Sequence, residues 1–258
     1  MSRVHIHGHS RAVLGIIMLD TQFPRPPGDV GYPDTFGVAT HLHRFKGVFP
    51  AKVVTSAAGL RQARLVPGFQ NIVRSLQMRG VHAITTSCGF LVLLQKELQS
   101  VAKIPVVTSS LLQLPALLAS QQKVGVLTIS ATSLGAEHLR AAGVPKERLK
   151  DVIIEGMPPA GEFATKILGN QPTLDVEQAG REAVAAALAL KQRTPELTSL
   201  VLECTNLPPY QAAIEAATGW RIFSLLTDPR LRKVIDATLA TTSPATQAQN
   251  HFTLGDSA

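Results

Sequence analysis

Cysteine is scarce in this 258-residue chain, with two in all, and aromatic residues make up only 5% of it. Two cysteines cannot build a disulfide framework, so the reading is of free thiols in a reducing, cytoplasmic setting. No uncharged apolar run of about 18 residues occurs, which leaves no helical membrane span to expect. The opening, MSRVHIHGHSR, is polar and lacks the apolar stretch of a secretion signal. No G-x-G-x-x-G follows a strand pattern, and G-x-x-x-x-G-K-[ST] and C-x-x-C are missing. Dinucleotide, nucleoside triphosphate and thioredoxin-type chemistry therefore lack support. Charged residues are 17% of the chain, with 25 Lys and Arg against 18 Asp and Glu, a formal charge of +7. The basic residues are scattered, densest at Arg230, Arg232 and Lys233, and aromatics do not interleave with them. That pattern argues against nucleic acid as a partner and fits a field that attracts small carboxylates.

What is present is a globular composition, 45% hydrophobic, long enough for one large domain or two smaller ones. Short β-branched apolar runs suit parallel strands buried on both faces. They fall at Ala12–Leu19, Ala51–Thr55, Val81–Thr86, Ile104–Thr108, Lys123–Ile129, Val152–Glu155, Leu200–Glu203 and Arg221–Leu225. Between them lie helical patterns. Pro67 opens one whose Phe69, Ile72, Val73 and Leu76 share a face, and Gly80 stops it. Others are expected at about Phe90–Val101, Glu137–Ala142 and, Ala-rich, Leu174–Lys191. The Pro- and Gly-rich stretch TQFPRPPGDVGYPDTFG reads as a loop, and Thr241–Ala258 as a polar tail.

The pattern runs twice. Gly15 and Gly125 are 110 residues apart, Cys88 and Cys204 are 116 apart, and each half reads strand, strand, long helix, strand, Cys, helix, strand. The expected fold is α/β, an internal duplication of about 110 residues with a parallel sheet in each half. Residues 1–115 with 226–258 would form one domain and 116–225 the other.

Ligands of open α/β sheets bind beyond the carboxyl ends of the strands. Cys88 and Cys204 both fall there, each before a helix whose free amides favour a thiolate. A lone cysteine is more often a small core hydrophobe; two at equivalent positions of a repeat point to chemistry. Thiols on opposite sides of a cleft suit racemisation, in which a thiolate takes an α-proton and a thiol opposite returns one. Ser87, Thr86 and Thr205 adjoin the thiols.

VHAITTSCGF, LVLECTNLPPY and the opening GIIMLD resemble the aspartate/glutamate racemase superfamily, from about Val13 to Leu226. The resemblance implies two pseudo-symmetric, flavodoxin-like α/β domains with parallel four-stranded sheets and an active site between them. It also implies Cys88 and Cys204 as acid and base, no pyridoxal phosphate or metal, a homodimer, and Asp20 and Thr21 in the first loop as contacts to a thiol or the substrate amine. The expected activity is a cofactor-independent racemase or epimerase of a small acidic amino acid or related carboxylate. The alternatives are a hydantoin racemase or other isomerase on the same scaffold, and a non-catalytic carboxylate-binding protein. A thiol hydrolase would need a base oriented beside one Cys, and no such His is evident in sequence. The chain departs from the family pattern where Gly89 and Phe90 follow the first Cys and Asn206 follows Cys204–Thr205. Gly89–Phe90 hints at room for a bulkier or more apolar ligand.

Substrate contacts are therefore expected from Asp20, Thr21, Ser87, Gly89, Phe90, Thr128, Thr205 and Asn206. Thr128 could instead cap a helix, and Ser109 and Ser110 could cap the next one or reach the cleft. Glu162 is either a partner for an amine or a solvated helix residue. No metal site is expected: His5, His7 and His9 read as part of a solvated terminus, His41 and His43 as loop residues, and His82 as a core histidine with its hydrogen bonds satisfied.

Overall fold

The computed structural model describes residues 13–55, 57–62 and 64–242; His5, His7 and His9 lie outside them. Among the described residues, eight short strands form two sheets. β1 (Leu14–Leu19), β2 (Thr40–Phe45), β3 (Ala83–Thr86) and β4 (Val106–Val107) make the first, in the order β2-β1-β3-β4. β5 (Val124–Thr128), β6 (Val152–Gly156), β7 (Ser199–Leu202) and β8 (Arg221–Phe223) make the second, in the order β6-β5-β7-β8. Every pairing is parallel. All residues of β1 and β5 are buried, as a central parallel strand covered on both faces requires.

The two halves match in packing as well as in order. A Cβ on Gly15 would stand 3.1 Å from Leu76, and one on Gly125 would stand 3.2 Å from Leu190. Each glycine lets the long helix of its half close onto the central strand. The first of these helices, Val66–Met78, buries Phe69, Ile72, Val73 and Leu76. Gly80 ends it at φ +79°, a left-handed conformation that other residues rarely adopt. The second, Val176–Arg193, is capped by Asp175, whose side chain accepts from the Gln178 amide at 2.9 Å. It buries four alanines and Leu190, small residues that bring it close to the sheet.

Several sequence expectations need correction. Ala51–Thr55 is not a strand: Pro50–Val53 is a helical turn, opened by Pro50. The second strand is THLHRF at Thr40–Phe45, which places His41 and His43 in β2 and not in a loop. It is an edge strand with no fully buried residue, so it carries no apolar run to announce it. His82 is exposed and precedes β3; among the described residues the buried histidine is His138. The segment after Cys88 begins as a 3-10 helix, Gly89–Leu94, before the α-helix Gln95–Gln99. The chain is still helical at Thr241, in a helix spanning Pro229–Thr242. Leu231 and Ile235 of that helix pack against Leu14, Ile16, Met18 and Val107 of the first sheet.

Candidate active site

The carboxyl ends of β3 and β7 bring the two thiols to one small cavity. Leu19, Thr21, Phe23, Ser87, Cys88, Gly89 and Phe90 line it from the first half, with Pro50 and Val54. Glu203, Cys204, Thr205, Asn206, Ile129 and Ile167 line it from the second. Its volume is about 20 Å³, room for little more than a water molecule. Both cysteines are buried and free.

Direct hydrogen bonds tie the halves together around this point. Thr205 Oγ1 donates to the Ser87 carbonyl at 2.7 Å, and the Val30 amide donates to the Thr205 carbonyl at 3.2 Å. Asn206 Nδ2 donates to Asp29 at 2.6 Å. Thr205 and Asn206 thus spend donors on holding the site together. Thr21 and Ser87 are placed differently. Thr21 Oγ1 accepts from Arg25 at 3.0 Å and Ser87 Oγ accepts from the Leu19 amide at 3.0 Å. Each hydroxyl therefore retains its own proton to donate.

The thiols are less acidic than their helix-start positions suggest. Burial pushes Cys88 up to about 12, helped by the nearby Glu203; the amides of Phe90 and Leu91, and Arg25, pull the other way. Burial and Glu203 also raise Cys204 well above the ordinary thiol range. Cys204 has the Asn206 amide in its favour, but the Cys88 thiol and Asp29 add to the opposition. Its sulfur donates to Asn206 Oδ1 at 3.6 Å. Desolvation outweighs the amides at both positions, which corrects the expectation of helix-stabilised thiolates.

The residue that sequence reasoning missed is Glu203. It is 1% exposed. Burial lifts its carboxyl to about 7, and a hydrogen bond from Thr128 only partly offsets this. Thr128 Oγ1 donates to Oε2 at 2.7 Å, while Oε1 is buried with no hydrogen-bond partner. The one sequence signal was an acid closing the apolar run LVLE immediately before Cys204. Gly89 is the counterpart of this residue. A Cβ at position 89 would collide with the Glu203 carbonyl and Oε1 and lie 2.9 Å from its Cδ. The missing side chain makes room for a carboxyl from the other half, and not for a bulkier ligand as the sequence hinted.

Other expected contacts lie elsewhere. Thr128 does not line the cavity but holds Glu203. Asp20 is turned away: its carboxylate accepts from the Gly47 amide at 2.8 Å and pairs with Arg44 at 3.6 Å. Glu162 accepts from the Asp175 amide at 2.8 Å. Ser109 caps the Leu111 amide, and Ser110 donates to the Leu202 carbonyl at 2.6 Å. Phe90 forms one wall and stacks edge-on against His138 at 5.0 Å between centroids. Among the described residues no group of three or more His, Cys, Asp or Glu could hold a metal ion, and no helix is long and apolar enough to cross a membrane.

The fold is shared with solved structures of glutamate racemase and arylmalonate decarboxylase. Glutamate racemase from Francisella tularensis superposes with a TM-score of 0.55 at 16% identity, over 90% of this chain and 81% of the racemase. Arylmalonate decarboxylase superposes with a TM-score of 0.54 at 13% identity, over 89% and 94%. At these identities the likeness is one of fold. No family profile matches the chain. In sequence the chain resembles a dimethylsulfoniopropionate lyase from Durusdinium sp. clade D, 29% identical over 222 residues, covering 83% of this chain and 72% of the lyase. Dimethylsulfoniopropionate lyase 5 from Emiliania huxleyi (strain CCMP1516) is 30% identical over 224 residues, covering 83% of this chain and 43% of the lyase. The chain thus spans most of the first lyase and less than half of the second. These relatives overturn the expected amino-acid racemase: the sequence likeness is to lyases, and the racemase likeness is one of fold.

Proposed function

We propose that the protein is a lyase that removes a sulfonium group from a small carboxylate of the dimethylsulfoniopropionate type. The observation that carries this reading is the inequality of the two thiols. Racemisation needs two groups that can exchange the roles of acid and base; elimination needs one base. Cys88 has two amides and Arg25 favouring its thiolate, whereas Cys204 has Asp29 added against it and donates to Asn206. Cys88 is the base in this reading.

The carboxylate is placed toward the Thr21 and Ser87 hydroxyls, which donate to it, with Arg25 behind Thr21. The Cys88 thiol gives its proton to solvent, and the sulfonium cation brought in by the substrate stabilises the resulting thiolate. The thiolate takes the α-proton. The electron pair of that C–H bond becomes the carbon–carbon double bond as the β-carbon to sulfur bond breaks. Dimethyl sulfide leaves as a neutral molecule, acrylate remains, and the thiol proton balances the one lost at the start.

The test is release of dimethyl sulfide from dimethylsulfoniopropionate, followed in the headspace. Wild type should produce it, and Cys88→Ala should lose at least about a thousandfold in kcat/KM, the scale of a removed general base. No dimethyl sulfide from the wild type, or an unimpaired Cys88→Ala, overturns the reading.

A further inference from the structure

The cavity holds a feature that removal of an α-proton does not itself require. Of the residues that line it, only Glu203 has a side chain that carries charge when its acid ionises, apart from the two thiols. Its Oε1 is buried against Gly89 with no hydrogen-bond partner. A buried carboxyl oxygen with no partner costs free energy in the empty protein, and a positive group brought beside it offsets that cost through its charge. The neighbouring walls are apolar or aromatic: Phe23, Val54, Phe90, Ile129 and Ile167. Such walls suit methyl groups and aromatic faces suit a cation, whereas a primary ammonium would need several acceptors for its N–H groups.

We propose that Glu203 is the counter-charge for the substrate's positive group, so that the cleft selects carboxylates bearing a methylated sulfonium or quaternary ammonium. The inference deepens the lyase reading and rests on it for the position of the carboxylate. Cys88 from the end of β3 and Cys204 on its own turn stand beside Glu203, Thr128 of β5 donates to it, and Arg25 and Asp29 act on the thiols from the first loop. With Oε2 taken by Thr128, the carboxyl proton resides on Oε1. An arriving cation displaces that proton to solvent and leaves a carboxylate facing the onium group, and the carboxyl takes a proton back from solvent once the neutral sulfide leaves.

Two isosteric probes test this in the intact chain by titration calorimetry at pH 7. They are 3-(trimethylammonio)propionate, which is charged, and 4,4-dimethylpentanoate, in which carbon replaces the cationic nitrogen. Wild type should bind the cation about tenfold more tightly, and Glu203→Gln should retain the affinity for the neutral-headed probe while losing the preference. Proton release, read from buffers of different ionisation enthalpy, separates Glu203 from the thiol: in Cys88→Ala, which has no thiol proton at that position to lose, the cation should still release protons and its isostere should not. Equal affinity for the two probes in wild type, a preference that survives in Glu203→Gln, or cation binding without proton release overturns the assignment. The lyase reading fails separately. Dimethyl sulfide formed without a cation preference sinks the role of Glu203 alone; a Glu203-dependent preference without dimethyl sulfide sinks the lyase reading alone.

Discussion

At the scale of single residues, the site depends on a contact between positions that lie 114 residues apart in the chain. Gly89 leaves space, and Glu203 fills it with a carboxyl that burial keeps largely uncharged below neutral pH. The consequence for stability has a definite sign. The folded state holds this proton up to about pH 7, whereas an exposed glutamate releases it near the ordinary value of about 4.3. The folded protein therefore binds more protons across that window, and stability falls as pH rises through it and stays lower above. The loss is on the order of 4 kcal/mol at roughly 1.4 kcal/mol per pKa unit. Urea unfolding of wild type and Glu203→Gln at pH 5 and pH 8 should show the variant gaining relative to wild type at the higher pH. A constant difference between the two proteins would argue that the carboxyl keeps an ordinary affinity for its proton. Asp20 was legible as an acid after the first strand, but its direction was not, because the Gly47 amide and Arg44 that hold it arrive with an edge strand that has no apolar signature.

At the scale of elements, the alternation of buried runs and amphipathic helices was readable because its periodicity is local. Phe69, Ile72, Val73 and Leu76 mark their helix without knowledge of any other segment. β2 was misplaced because THLHRF owes its strand conformation to pairing with β1 along Leu14–Leu19, not to its own side chains. The central glycines offer a comparison between the repeats. A Cβ on Gly15 would press only on the side-chain ends of Leu76 and Val81, while one on Gly125 would also meet the Ser199 carbonyl at 3.2 Å. Flexible side-chain ends yield more easily than backbone. Gly125→Ala should therefore destabilise by about 1–3 kcal/mol, as overpacking does, and Gly15→Ala by less. Thermal denaturation of the two variants decides the order.

At the scale of the whole molecule, the chain leaves the first sheet, builds the second, and returns. The helix Pro229–Thr242 buries Leu231 and Ile235 on the face of the first sheet that carries Leu14, Ile16 and Met18. Leu231→Ala should cost about 2–5 kcal/mol, the range for a buried leucine truncated in a core, measured by urea unfolding; a change below about 0.5 kcal/mol would mean that the returning helix contributes little to the fold. Hydrogen bonds from Ser110 to Leu202, Gln113 to Ser224 and Thr205 to Ser87 join the two halves. A cavity of about 20 Å³ has room for little more than a water molecule, so an organic ligand enters only as the walls part, with Pro50 and Val54 on the first-half side and Ile167 on the second.

The alternation of buried strands and helices apart from β2, the doubled pattern and the placing of both cysteines at strand ends were determined by the sequence, since each is written in residues near one another along the chain. The proton affinity of Glu203, the inequality of the thiols and the two hydroxyls left free to donate were decided only by tertiary structure. Each depends on which groups from the other half exclude water or supply a hydrogen bond, and that is a property of packing.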